Sequence, residues 1–105
     1  MANDTFKALA HPLRRDIVER LSGGVATVGE VSRDFAVSKP TVSRHVKLLE
    51  DAGVVSRVID GRTHRLTLRT EALGEASDWI ESQRERWERL FDVVGEYLDE
   101  RKERR

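Results

Sequence analysis

The sequence predicts a mainly α fold in the order α-α-α-α-β-β-α: four short helices, a two-stranded β-hairpin and a long terminal helix. Three observations carry this. Apolar residues recur at helical spacing as far as Leu49, broken at Pro12, at Gly23-Gly24 and at Ala36-Val37. β-Branched residues then crowd both sides of Asp60-Gly61. From Glu71 to about Arg101 a single apolar stripe returns at helical period.

Phe6, Leu9 and Ala10 predict a short first helix, entered through Asn3 or Asp4 and stopped before His11-Pro12. Pro12 opens a second helix, in which Leu13, Ile17, Val18 and Leu21 keep helical spacing until Ser22-Gly23-Gly24. A third starts at Thr27, with Glu30 three residues on as a capping box and Val28, Val31 and Phe35 as its inner face. Ala36-Val37 turns the chain into Ser38, the N-cap of a fourth helix that Gly53 ends, with Val54 folding back onto Leu49. Two helices joined by so short a turn form a helix-turn-helix.

The fourth helix has two faces. Val42, Val46, Leu49, Leu48, Thr41 and His45 share one side, and Lys39, Pro40, Ser43, Arg44 and Lys47 share the other. Arginine can fork onto guanine, lysine neutralises phosphate and small hydroxyls let the backbone approach, so the second face suits DNA. After Gly53, Val54 to Ile59 and Arg62 to Leu68 form a hairpin about an Asp60-Gly61 loop, which sets Val55 opposite Leu66 and Arg57 and Arg62 near the tip. Arg57, Arg62, Arg65 and Arg69 give it a basic character suited to phosphate.

The terminal helix places Leu73, Ala76, Trp79, Ile80, Trp87, Leu90, Phe91, Val94, Tyr97 and Leu98 within about 120° of arc, with Gln83 inside the stripe. At 1.5 Å per residue it is about 46 Å long and overhangs a body of about 11 Å radius of gyration. An exposed stripe of this kind needs a second copy to cover it, and Gln83 could set the register between the two. An irregularity is expected near Gly74, and fraying from Glu100 to Arg105.

At 105 residues the chain is one domain, with 1–70 carrying the helix-turn-helix and hairpin and 71–105 the dimerisation helix. Zero cysteines exclude disulfides, cysteine-based zinc sites and thiol catalysis. No stretch approaches the roughly 18 apolar residues of a membrane span and the N-terminus lacks a signal-peptide core, so the expected location is cytoplasmic, without a membrane partner. The net charge is zero, but 1–70 carries 12 Lys/Arg against 8 Asp/Glu and 71–105 carries 7 against 11, so a basic DNA face survives.

Helices, helix-turn-helix, Asp-Gly wing and long last helix follow the order of a winged helix-turn-helix. The strings Phe6 to Arg15, Thr27 to Val31, Ser38 to Gly53 and Asp60-Gly61-Arg62 resemble the ArsR-type (arsenical-resistance-repressor-like) family across nearly the whole chain. The resemblance implies a homodimeric bacterial transcription factor, usually a repressor, with recognition helices in major grooves of a double-stranded operator. It places DNA contacts at Ser38, Lys39, Thr41, Ser43, Arg44 and Lys47, and at Arg57, Arg62 and Arg65 on the wing. It places the dimer interface on the first and last helices, here Phe6, Leu9, Trp79, Ile80, Gln83, Trp87, Leu90, Phe91 and Val94. Thr41 fits less well, lying at the edge of the buried arc.

Metal-sensing members use cysteines near the third helix, or histidine and acidic residues on the last. This chain has no cysteine and no histidine after His64, so neither a metal nor another cofactor is expected and the effector stays unnamed. It resembles the metal-independent, cysteine-free members. No enzyme is expected either, since no nucleophile–base pair or phosphate loop appears and Ser43 and His45 diverge on their helix. The rival to a DNA-binding regulator is a non-catalytic dimeric winged-helix module that binds protein.

Overall fold

Eight elements follow one another in the computed structural model, which describes residues 2–103. They are α1 (Ala2–Ala8), α2 (Pro12–Ser22), β1 (Ala26–Thr27), α3 (Val28–Phe35), α4 (Lys39–Asp51), β2 (Val55–Asp60), β3 (Thr63–Leu68) and α5 (Thr70–Glu103). The helix-turn-helix is α3 and α4, and the wing is β2 and β3.

Local chemistry accounts for most helix ends. His11 caps α2, its Nδ1 accepting from the Leu13 N–H at 3.1 Å, and Pro12 follows where a missing donor does no harm. Thr27 caps α3, its hydroxyl accepting from the Glu30 N–H at 3.1 Å and donating to the Glu30 carboxylate at 3.2 Å. Ser38 caps α4 by accepting from the Thr41 N–H at 3.3 Å. Gly53, at φ 75°, ends α4 in a Schellman turn: its N–H donates to Glu50 O and that of Val54 to Leu49 O, both at 2.9 Å. The same turn closes α3, but there the left-handed residue is Ala36, at φ 53°.

Arg14 and Arg15 perform a less obvious task. Arg14 Nε donates to Ala8 O at 2.6 Å and Arg15 Nη1 to Leu9 O at 2.8 Å, so two guanidinium groups satisfy carbonyls where α1 ends. Arg14 Nη1 also donates to His45 Nδ1 at 3.2 Å, and the His45 ring lies 4.6 Å from that of His11. This ties α1, α2 and α4 at one corner.

The core forms where these elements meet. Ile17, Val31, Val42, Val46, Leu49, Val54 and Leu66 are fully buried, with Leu21, Ala26 and Val55 beside them. Each large aliphatic side chain removed from water contributes roughly 1.5–3 kcal/mol. Leu13, Val18, Phe35, Leu68, Ala72 and Leu73 pack around this cluster, so α5 begins in the same core.

Several expectations need correction. The sheet has three strands, in the order β1-β3-β2, because Ala26 and Thr27 pair with Leu66 and Arg65. The hairpin loop is Gly61-Arg62, not Asp60-Gly61: Asp60 pairs with Thr63, so Val55 faces Leu68 and Arg57 faces Leu66. Gly61, at φ 60°, supplies the left-handed residue the turn requires. Asn3 and Asp4 lie inside α1 rather than before it. Leu48 is not buried with its neighbours on α4 but stays 46 % exposed, over a hollow between α1 and α4. α5 is unbroken at Gly74 and stays helical through Glu100 to Glu103, while Arg104 and Arg105 lie outside the described residues.

α5 spans 34 residues, about 51 Å at 1.5 Å per residue. The chain extends 75 × 24 × 21 Å with a radius of gyration of 20.5 Å, against about 13 Å for a compact domain of this length. Ala76 is buried and Phe6 meets Trp79 edge to face at 5.5 Å, but beyond them the helix leaves the body.

Candidate nucleic-acid interface

α4 is seated by its apolar half, with Val42, Val46 and Leu49 buried, and this turns Lys39, Arg44 and Lys47 outward. Ser43 is half-buried and lines a cleft of about 350 Å³ with Thr27, Val28, Gly29, Lys39, Arg62, Thr63 and His64. The first turn of α3, the outer face of α4 and the wing tip thus open onto one hollow. Lys39 lies along α3, its Cε 3.6 Å from where a Cβ on Gly29 would stand. The cleft therefore combines lysine, arginine, hydroxyl and imidazole groups, and the N-terminal end of α3 adds a partial positive charge.

The expected contact residues do not all stand free. Lys39, Arg44, Arg62 and Arg65 are exposed, and their side chains make no hydrogen bond or ion pair among the described residues. Ser38 and Thr41 are engaged in the cap, where the Ser38 hydroxyl donates to Thr41 Oγ1 at 2.9 Å. Lys47 Nζ lies 2.9 Å from Asp51 Oδ1, and that hydrogen bond holds its pKa above the ordinary lysine value. Arg57 is the exception on the wing. Its side chain is only 14 % exposed and contacts Glu50 at 2.6 Å.

Period-two alternation explains Arg57. Val55, Arg57 and Ile59 share one face of β2, opposite Leu68, Leu66 and His64 on β3. Burying Val55 and Leu66 therefore turns Arg57 inward. Reading the sequence for charge alone missed Glu50 and His64 as its partners, although the spacing of Val55 and Arg57 carried the signal.

The expected interface residues on α5 share one exposed stripe: Trp79, Ile80, Trp87, Leu90, Phe91 and Val94 are 45–66 % exposed and Gln83 is half-buried among them. Trp87 and Phe91 lie ring to ring at 5.9 Å. Phe6 and Leu9 are half-buried, Phe6 on α1 against Trp79 of α5 and Leu9 just past the end of α1. Among the described residues, no three His, Cys, Asp or Glu side chains are grouped to hold a metal ion, and no helix is long and apolar enough to cross a membrane.

A helix-turn-helix seated by its apolar face, with a basic wing beside it, defines a winged helix-turn-helix protein. Known proteins agree. The family description "Helix-turn-helix domain" matches residues 9–58. Transcriptional repressor SdpR of Bacillus subtilis (strain 168) is 36 % identical over 78 residues, which is 74 % of this chain and 87 % of the relative. HTH-type transcriptional regulator Rv2034 of Mycobacterium tuberculosis is 52 % identical over 50 residues, 48 % of this chain, and the match spans about half (47 %) of that relative's length. A crystal structure of an ArsR family transcriptional regulator superimposes with a TM-score of 0.77 at 36 % identity, covering 82 % of this chain and 89 % of the other. The chain belongs to the ArsR-type winged helix-turn-helix transcriptional regulators.

Proposed function

We propose that this chain is a homodimeric, cytoplasmic transcriptional repressor that acts without catalysis. It binds an inverted-repeat operator, with α4 in the major groove and the wing tip on the neighbouring backbone. The observation that carries this reading is the outward cleft on which Lys39, Ser43 and Arg62 meet, with Arg44 exposed next to Ser43 on α4. Exposed and unpaired, Arg44 is placed to fork onto a guanine edge. Lys39, Lys47, Arg62 and Arg65 suit phosphate, with Lys47 exchanging Asp51 for DNA, and Ser38 and Thr41 let the helix N-terminus approach. Repression is supported by the name that SdpR carries.

The dimer reading rests on the stripe of α5 beyond Trp79, whose apolar residues stay exposed among the described residues. In this reading 71–105 is the dimerisation helix, joined to the DNA-binding part, 1–70, without a domain break. A second copy would seat Trp79, Ile80, Trp87, Leu90, Phe91 and Val94 around Gln83, with Phe6 and Leu9 at the edge.

A gel-shift titration over a salt series tests the DNA reading. Log affinity should fall steeply with log salt. Arg44→Ala should cost about 1–3 kcal/mol for the preferred duplex, and Lys47→Ala should weaken all duplexes alike and flatten the salt slope by about 1. Unchanged affinity in Arg44→Ala would overturn the assignment of α4.

A further inference from the structure

Arg57 joins three elements. Its Nη2 lies 2.6 Å from Glu50 Oε1, and its Nε donates to the same oxygen at 2.9 Å. Its Nη1 donates to His64 Nδ1 at 3.0 Å. Glu50 lies in the last turn of α4, Arg57 on β2 and His64 on β3, so one guanidinium links the end of the DNA-facing helix to both strands of the wing. The Glu50 and Arg57 side chains are only 28 % and 14 % exposed, where an ion pair is screened less than at an open surface.

We propose that Glu50, Arg57 and His64 form a strut that fixes the tilt of the wing against α4, and that Arg57 is a positioning residue rather than a phosphate contact. The core ends at Val55 and Leu66, and outward from them Val58 and Ile59 are 59 % and 62 % exposed, so apolar packing does not hold the tip. The strut lies between that core and the tip. Arg62 lies in the loop that joins the strands it braces and Arg65 on one of them, so the direction they face follows from its geometry. A phosphate could reach the Arg57 guanidinium only by displacing Glu50 or His64. Leaving one member of so enclosed a pair without its partner is the costly step.

This inference rests on the DNA-binding reading, and one set of experiments separates the two. The full chain would be titrated against a duplex selected from random sequence, over a salt series, as wild type, Glu50→Gln, Arg57→Gln and the double variant. A strut predicts that both single variants weaken the selected duplex by about ten-fold, a coupling of the size seen between side chains in one network. Both singles should flatten the salt slope to the same extent, because a misdirected wing takes Arg62 and Arg65 off phosphate, and the double variant should bind no worse than the weaker single. Hydroxyl-radical footprinting should show the wing's protection fading while that of α4 remains. His64→Ala keeps the ion pair and so secures the test should the others fold poorly; it should give a smaller loss of the same kind.

The opposite pattern overturns the strut. If Arg57 touches phosphate, Arg57→Gln alone lowers the salt slope, by about 0.9, while Glu50→Gln, which removes an anion near DNA, leaves the slope unchanged and the affinity equal or higher. Wild type that binds no duplex in a salt-dependent manner overturns the DNA reading itself. Wild type that binds while Glu50→Gln and His64→Ala bind equally well overturns only the strut.

Discussion

The winged body and the distal half of α5 use similar apolar residues in opposite ways. In the body, Ile17, Val42, Val46 and Leu49 meet partners from other elements of the same chain and lose all contact with water. On α5, Ile80, Leu90 and Val94 lie at equally regular helical spacing yet remain 45–51 % exposed. Periodicity predicts a face; burial needs a second surface. The body supplies its own, and a lone helix leaving it cannot, so the same pattern signals an internal core in one region and, under the proposed dimer, a partner in the other.

Variants in the two regions should therefore fail differently. Leu49→Ala should have the largest effect, about 2–5 kcal/mol of unfolding free energy in urea titration, because a buried cavity joins the lost transfer energy. That loss should not depend on protein concentration. Trp87→Glu should leave the body folded but release monomers in sedimentation, since the new carboxylate would be buried without a partner at the seam. Thermal stability should depend on protein concentration in wild type and lose that dependence in this variant. An unchanged dimer would place the seam elsewhere.

Smaller effects come from within the body. Ala36 occupies a left-handed conformation that costs an alanine about 1–2 kcal/mol. Ala36→Gly relieves this but loses about 0.5–1 kcal/mol to chain entropy. Calorimetry should show a net gain of about 0–1.5 kcal/mol.

His45 should give the mildest signal. Burial first, then the charges of His11, Arg14 and Arg44, hold its pKa below the usual 6.5. The unfolded chain then takes up the proton more readily, so this stability is complete above about pH 6.5 and is lost as pH falls through the folded value. His45→Gln should flatten the acid limb of a urea stability curve. No such change would be expected at α5, which has no histidine.

Much of the body was legible in the sequence because its signals are local. The caps at Thr27 and Ser38 and the glycine stop at Gly53 lie within a few residues of the helix ends they satisfy, whereas the cap at His11 was read only as a break. β1 was not legible: two residues, Ala26 and Thr27, become a strand only because Leu66 and Arg65 arrive some forty positions later. The hairpin loop moved by one residue because Asp60-Gly61 and Gly61-Arg62 both offer the glycine a left-handed turn needs. That shift changes each partner by two places and so keeps every side chain on its predicted face. Arg57 was misjudged for another reason: its charge suggested exposure, while its phase with Val55 turned it inward against Glu50. The overhang of α5 followed from length alone.

In the proposed assembly, α5 pairs two copies so that two α4 helices read one operator. Selecting bound sequences from random duplexes, with and without added zinc and a chelator, tests it most directly. That assembly predicts an inverted repeat whose half-sites lie about one helical turn, or a multiple of it, apart. Enrichment of a direct repeat, or of no sequence at all, would contradict it.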